Sequence, residues 1–116
     1  MIKNSDYSLD SLFQNKEEHV LKIYEMLIKD IQTYAEPMIE VKKTSLHIVK
    51  KRAFLGVHPK KKWIDLNIVS DHPLTHEQLT KTEQISKNRY HNSIRIHHVD
   101  DIDQELLDLI KEAYQM

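Results

Sequence analysis

The residues with most chemistry to offer crowd into the middle of this chain. Residues 41–98 hold twelve Lys and Arg against four Asp and Glu, together with seven of the eight histidines. The flanks are acidic: residues 1–40 carry four Lys against eight acids, and residues 99–116 one Lys against six. A formal net charge of −1 thus hides a basic centre able to attract phosphates. Its densest clusters are Lys50, Lys51, Arg52 and Lys60, Lys61, Lys62. Phe54, Trp63, Arg95 and His97 lie on the expected strands beside them, and rings on a sheet can stack bases. These ten residues form the candidate binding set. The competing explanation is plain: turn lysines keep sheet edges soluble, and a Phe54–Trp63 cross-strand pair is ordinary packing.

Other chemistries find less support. His72 and His76 have helical ligand spacing with Asp71 and Glu77 nearby, but Pro73 interrupts them, and adjacent His97 and His98 point to opposite sides of a strand. Three or four converging ligands are needed for zinc, so no metal and no cofactor are assigned. Asp65 with His47 or His97 would make an acid–base pair across strands, a pairing that any polar sheet offers. No catalytic residues are assigned, and the chain reads as a module rather than an enzyme. The single glycine excludes phosphate-cradling glycine loops. The absence of cysteine excludes disulfides and thiolate metal sites and fits a cytoplasmic setting. No apolar run is long enough to span a membrane, and the N-terminus lacks a signal peptide.

The elements that must position these residues are written in the periodicity. Residues 1–11 read as a flexible N-terminal tail before a single domain over residues 12–116. From Asn15, Val20, Ile23, Tyr24, Leu27, Ile31 and Tyr34 form one helical stripe, ended by Glu36-Pro37. Strands are expected over 44–49, 53–57 and 63–69, with Leu46, Ile48, Leu55, Val57, Ile64, Leu66 and Ile68 inward. Phe54, Gly56, Trp63, Asp65 and Asn67 face outward. Gly56 inside a strand marks a bulge or a close approach by another group. Thr75-His-Glu-Gln78 has the form of a capping box and predicts a short helix over 76–87. A fourth strand follows at 93–99 with Arg95 and His97 outward. Asp103 caps a last helix carrying Leu106, Ile110, Ala113 and Tyr114. The fold class is α+β: an antiparallel four-stranded sheet packed by N- and C-terminal helices, in the order α-β-β-β-α-β-α.

The run Lys43-Thr-Ser-Leu-His-Ile48, the run Arg52-Ala-Phe-Leu-Gly-Val-His-Pro-Lys-Lys-Lys-Trp-Ile-Asp-Leu-Asn-Ile68, and the closing Ile94-Arg-Ile-His-His-Val-Asp-Asp-Ile-Asp103 with Ala113-Tyr114 resemble domain of unknown function family 5655. The resemblance spans about residues 12 to 115. Between Leu74 and Asn92 the chain departs from it, with no glycine-bearing loop before the last strand. The resemblance implies no residue roles. The family carries a legacy label of predicted transport protein and is sometimes appended to nuclease-like domains.

The expected function is a small binding or interaction module that recognises an anionic partner such as nucleic acid through its basic strands and turns. The alternative is a protein-interaction or homodimerisation domain using a Phe54/Trp63 sheet face. If the second and third strands form a hairpin, the two basic clusters fall at opposite ends of the sheet.

Overall fold

A computed structural model describes residues 7–116. The elements are α1 (Leu9–Phe13), α2 (Glu18–Ile31), β1 (Met38–Val41), β2 (Leu46–Val49), β3 (Ala53–Pro59), β4 (Ile64–Ser70), β5 (Leu79–Ser86), β6 (Arg89–Ile96), a 3-10 turn (Val99–Asp101) and α3 (Gln104–Gln115). The strands form one antiparallel sheet of six, in the order β1-β2-β3-β4-β6-β5. The α+β class holds, but the sheet has six strands rather than four.

Both additional strands have physical reasons. Met38-Ile-Glu-Val41 alternates, burying Ile39 and Val41, and follows Pro37, which forces the chain out of helical geometry. Residues 79–86, expected as a helix, instead form β5. Leu79 and Ile85 cannot make a helical stripe, and Ile85 stays exposed. With no apolar face to bury, the segment is decided by backbone pairing to β6 and by its threonines: Thr80 Oγ1 donates to the Ser93 carbonyl and Thr82 Oγ1 to Asn92 Oδ1. The expected capping box is a turn, with the Gln78 N–H donating to His76 Nδ1 at 2.9 Å. Helix α2 begins after Glu17 rather than Asn15 and stops at Ile31. The tail expected over residues 1–11 falls partly outside the described residues; within the rest, Ser8 and Ser11 form a capping box on α1, which buries Leu12 and Phe13.

Leu46, Ile48, Leu55, Val57, Ile64, Leu66, Ile68, Ile94 and Ile96 sit on one sheet face at no more than 1% exposure, where each large side chain contributes about 1.5–3 kcal/mol. Val20, Ile23, Leu27, Leu106 and Ile110 cover them, and the buried residues of all three helices join this one cluster. Asp103 caps α3 as expected, its Oδ1 accepting from the Leu106 N–H at 2.8 Å. No helix among the described residues packs on the other sheet face. His47, His58, Asp65, Asn67, Ser93 and Arg95 occupy it, each only partly buried.

One buried polar residue knits the new strands to the rest. Asn92 is fully buried on β6. Its Nδ2 donates to the Ile68 carbonyl at 2.9 Å and to Ser70 Oγ at 2.8 Å. Its Oδ1 accepts from the Leu74 N–H at 3.3 Å and the Thr82 hydroxyl at 3.1 Å.

Candidate nucleic-acid interface

Hairpin topology sorts the basic residues into two groups. The β1–β2 turn and the β3–β4 turn lie at the same end of the sheet, because Leu46 at the start of β2 faces Val57 near the end of β3. Each turn is closed by a backbone bond of 2.7 Å, from Lys42 N–H to the Ser45 carbonyl and from Lys60 N–H to the Trp63 carbonyl. Lys42, Lys43, Lys60, Lys61 and Lys62 are all exposed there. The two tips are two strand spacings apart, roughly 10 Å. The α2 start braces the second tip: the Glu17 N–H donates to the Lys61 carbonyl at 2.8 Å, and His19 Nε2 lies 2.7 Å from the Lys62 carbonyl. With those carbonyls engaged, the lysine side chains are left to solvent. Lys42 is ion-paired to Glu40 at 3.9 Å, while Lys43, Lys60, Lys61 and Lys62 make no ion pair among the described residues.

Lys50, Lys51 and Arg52 lie at the opposite end, in the β2–β3 turn, as the hairpin geometry predicts. There they meet Arg89 and Tyr114 around a cavity of about 290 Å³. Lys50 is committed to the fold. Its ammonium donates to the Tyr114 carbonyl at 3.2 Å and stands 4.4 Å from that ring's centre, where a cation complements the end of α3.

Phe54 and Trp63 do not pair. The β3–β4 register sets Pro59 opposite Ile64 and Leu55 opposite Ile68, so the two residues lie roughly 20 Å apart along the strand direction. The ladder to β2 also slips: Ile48 faces Leu55 but Val49 faces Ala53, leaving Phe54 as an extra residue. Bulges of this kind re-aim a side chain. Phe54 is only 4% exposed, edge-on to Tyr114 with centroids 5.4 Å apart. It belongs to the core, not to an outer platform.

Trp63 and Arg95 share the open face and hold each other. The Arg95 guanidinium stands 4.7 Å from the indole centre, a cation–π contact. Asp65 joins them, accepting from Arg95 Nε at 2.8 Å and from Trp63 Nε1 at 3.3 Å. Burial pushes the Asp65 carboxyl up, but hydrogen bonds from Arg95 and Trp63 and the charges of Arg95 and Lys60 hold it below its ordinary value. The carboxylate's partners are therefore Arg95 and Trp63, not His47 or His97. His97 is exposed just past β6, its ring 6.1 Å from Trp63 and 6.3 Å from His98. Burial lowers the His58 pKa, with His47 and Lys60 adding to the effect and Asp65 opposing it. Burial also lowers that of His91, reinforced by Arg89.

His76, Asp103 and Glu105 bring ligand atoms within 4.8 Å of one another. His76 already uses its Nδ1 lone pair on the Gln78 N–H, so its Nε2 carries the proton and donates to Asp103 at 3.3 Å. A neutral ring in that tautomer has no lone pair left for an ion. His72 turns instead to Asp71, at 2.6 Å, so His72 and His76 do not converge.

Sequence reasoning missed Lys42 and Lys43 as partners of Lys60–Lys62, because β1 was needed to make their hairpin. It also missed His91 and Asn67 as neighbours. Asn67 faces Ser93 in the β4–β6 register, one step from His91 opposite Val69. The chain matches the family model described as a domain of unknown function, DUF5655, over residues 9–116. It belongs to that family. No curated protein and no solved structure matches it. No helix among the described residues is long and apolar enough to cross a membrane.

Proposed function

We propose that this DUF5655 domain is a nucleic-acid-binding module that lays a single strand across its open sheet face, with phosphates held at the lysine-tipped end. The observation that carries this is the convergence of five exposed lysines, on two neighbouring hairpin tips, at one margin of a sheet face that no described helix covers. Lysines without ion-pair partners neutralise phosphates and release their counterions. A sheet face bearing Trp63, His47, His58 and His97 suits unstacked bases rather than a closed duplex.

The Lys50–Arg52 end supports the reading less, because Lys50 is tied to the end of α3. The rival interaction surface loses the aromatic pair that motivated it, since Phe54 is in the core. An electrophoretic shift with mixed-sequence single-stranded RNA or DNA at low salt tests the proposal. A shift is expected, and Lys60→Glu with Lys61→Glu should weaken it; no complex at low salt would end the proposal.

A further inference from the structure

The chain's one glycine has no conformational reason to be a glycine. Gly56 lies in β3, an inner strand, and its φ is not positive. It sits in no turn. A strand interior ordinarily disfavours glycine, at roughly 0.5–1 kcal/mol relative to alanine. A Cβ at this position would meet Asn67 Cβ at 3.4 Å, His58 Nε2 at 3.4 Å and His47 Cδ2 at 3.8 Å. That is ordinary contact, so a methyl would fit. Gly56 is itself buried, so the missing side chain leaves a methyl-sized gap beneath the His47 and His58 rings and the Asn67 side chain. Gly inside a strand is found where another group approaches closely.

Beside the gap, sharing His58 and Asn67 with it, is a cleft of about 210 Å³ whose lining includes Asp65, Lys81, His91 and Ser93. Two polar atoms of this cleft, Asn67 Oδ1 and His91 Nε2, are buried without a hydrogen-bond partner. Such atoms are few in folded proteins and call for an explanation. Two in one cleft, next to a strand glycine without a backbone role, point to a ligand that supplies what they lack. Each has almost no exposed surface, so the ligand must turn a flanking side chain aside, a common adjustment at interfaces. Lys81 and Glu83, exposed on the cleft's rim, are long enough to yield.

We infer that the cleft beside Gly56 forms a subsite for one nucleobase, read at its edge by Asn67 and His91; this rests on the nucleic-acid reading above. The base edge enters the cleft beside the His58 ring, next to the gap over Gly56. Asn67 Oδ1 accepts only, and therefore requires an amino donor on the base. His91, with its proton on Nε2, donates to the neighbouring ring nitrogen. Cytosine presents that pair of groups on its Watson–Crick edge, as adenine does, while uracil presents the reverse. The phosphates on either side run toward Lys60 and its neighbours.

Fluorescence anisotropy with labelled short oligocytidylate and oligouridylate tests this, since the two pyrimidines carry opposite groups on the edge that Asn67 and His91 read. The wild-type chain should bind oligocytidylate roughly tenfold more tightly, the discrimination ordinary for one paired base edge. Asn67→Ala and, separately, His91→Ala should bring the two affinities to near equality. Asn67→Ala should keep the thermal midpoint near the wild-type value, because its Oδ1 has no partner to lose, which separates a lost subsite from a lost fold. Lys60→Glu with Lys61→Glu should weaken both oligomers and keep their ratio. Equal wild-type affinities, or a ratio that survives both subsite variants, would overturn the subsite and leave the nucleic-acid reading standing. Failure of both oligomers to bind at low salt would overturn both.

Discussion

Asn92→Ala is the sharpest test of the buried network that ties β6 to β4 and the loop after it, and through Thr82 to β5. Truncation removes the side-chain acceptor of the buried Leu74 N–H, and an unsatisfied buried donor costs about 1–3 kcal/mol. The Ile68 carbonyl and Ser70 Oγ each lose a donor, but Ser70 keeps its own bond to the His72 carbonyl. Thr82 is exposed and can turn to water. Adding a small cavity, the expected loss is about 3 kcal/mol. For a domain of this size that lowers the thermal midpoint by roughly 12 °C. Circular dichroism melts read it directly, with Thr82→Ala as the control; that variant should cost under about 1 kcal/mol, since only one exposed hydroxyl is lost. An Asn92→Ala shift no larger than that of Thr82→Ala would refute the network.

Phe54→Ala should cost about 3 kcal/mol or more in denaturant unfolding, the price of an aromatic cavity in a core; a loss within about 0.5 kcal/mol would return Phe54 to the surface. Acidification should destabilise the fold through His58 and His91. Both have pKa values lowered on folding, so the folded state binds fewer protons, and their contribution is present above the unfolded value near 6.5 and is lost as pH falls below it. Melts between pH 7.5 and 5.5 should show a falling midpoint, with a shallower fall in His58→Gln; an equal slope in that variant would remove His58 from the account.

How far the sequence could be read depended on whether burial or backbone pairing decided a segment. Where burial decided it, the pattern was plain: the α2 and α3 stripes, and the alternation of Leu46–Ile48, Leu55–Val57 and Ile64–Ile68, all reappear in the core. Asp103 is the α3 cap its position suggested. β5 was illegible because it buries almost nothing; a capping-box string suggested helix, and only β6 could show that pairing wins. β1 is too short for its alternation to stand out. Phe54 was misread because a strict period of two cannot foresee a slipped ladder. The separation of Lys50–Arg52 from Lys60–Lys62 followed from hairpin geometry alone. The grouping of Lys42 and Lys43 with Lys60–Lys62 did not, since it needs β1. A glycine inside a strand signals a bulge or a close approach, but Asn67 and His91 come together only through the β4–β6 register.

The central claim is that one end of the sheet, and not the other, meets the phosphates. The measurement is the slope of log affinity against log salt for a short single strand, in wild type, in Lys60→Glu with Lys61→Glu, and in Lys50→Glu with Lys51→Glu. Each phosphate neutralised contributes about −0.7 to that slope, so the first pair should flatten it by about 1.4 while the second leaves it near the wild-type value. A slope flattened equally by both pairs, or by neither, would contradict the account.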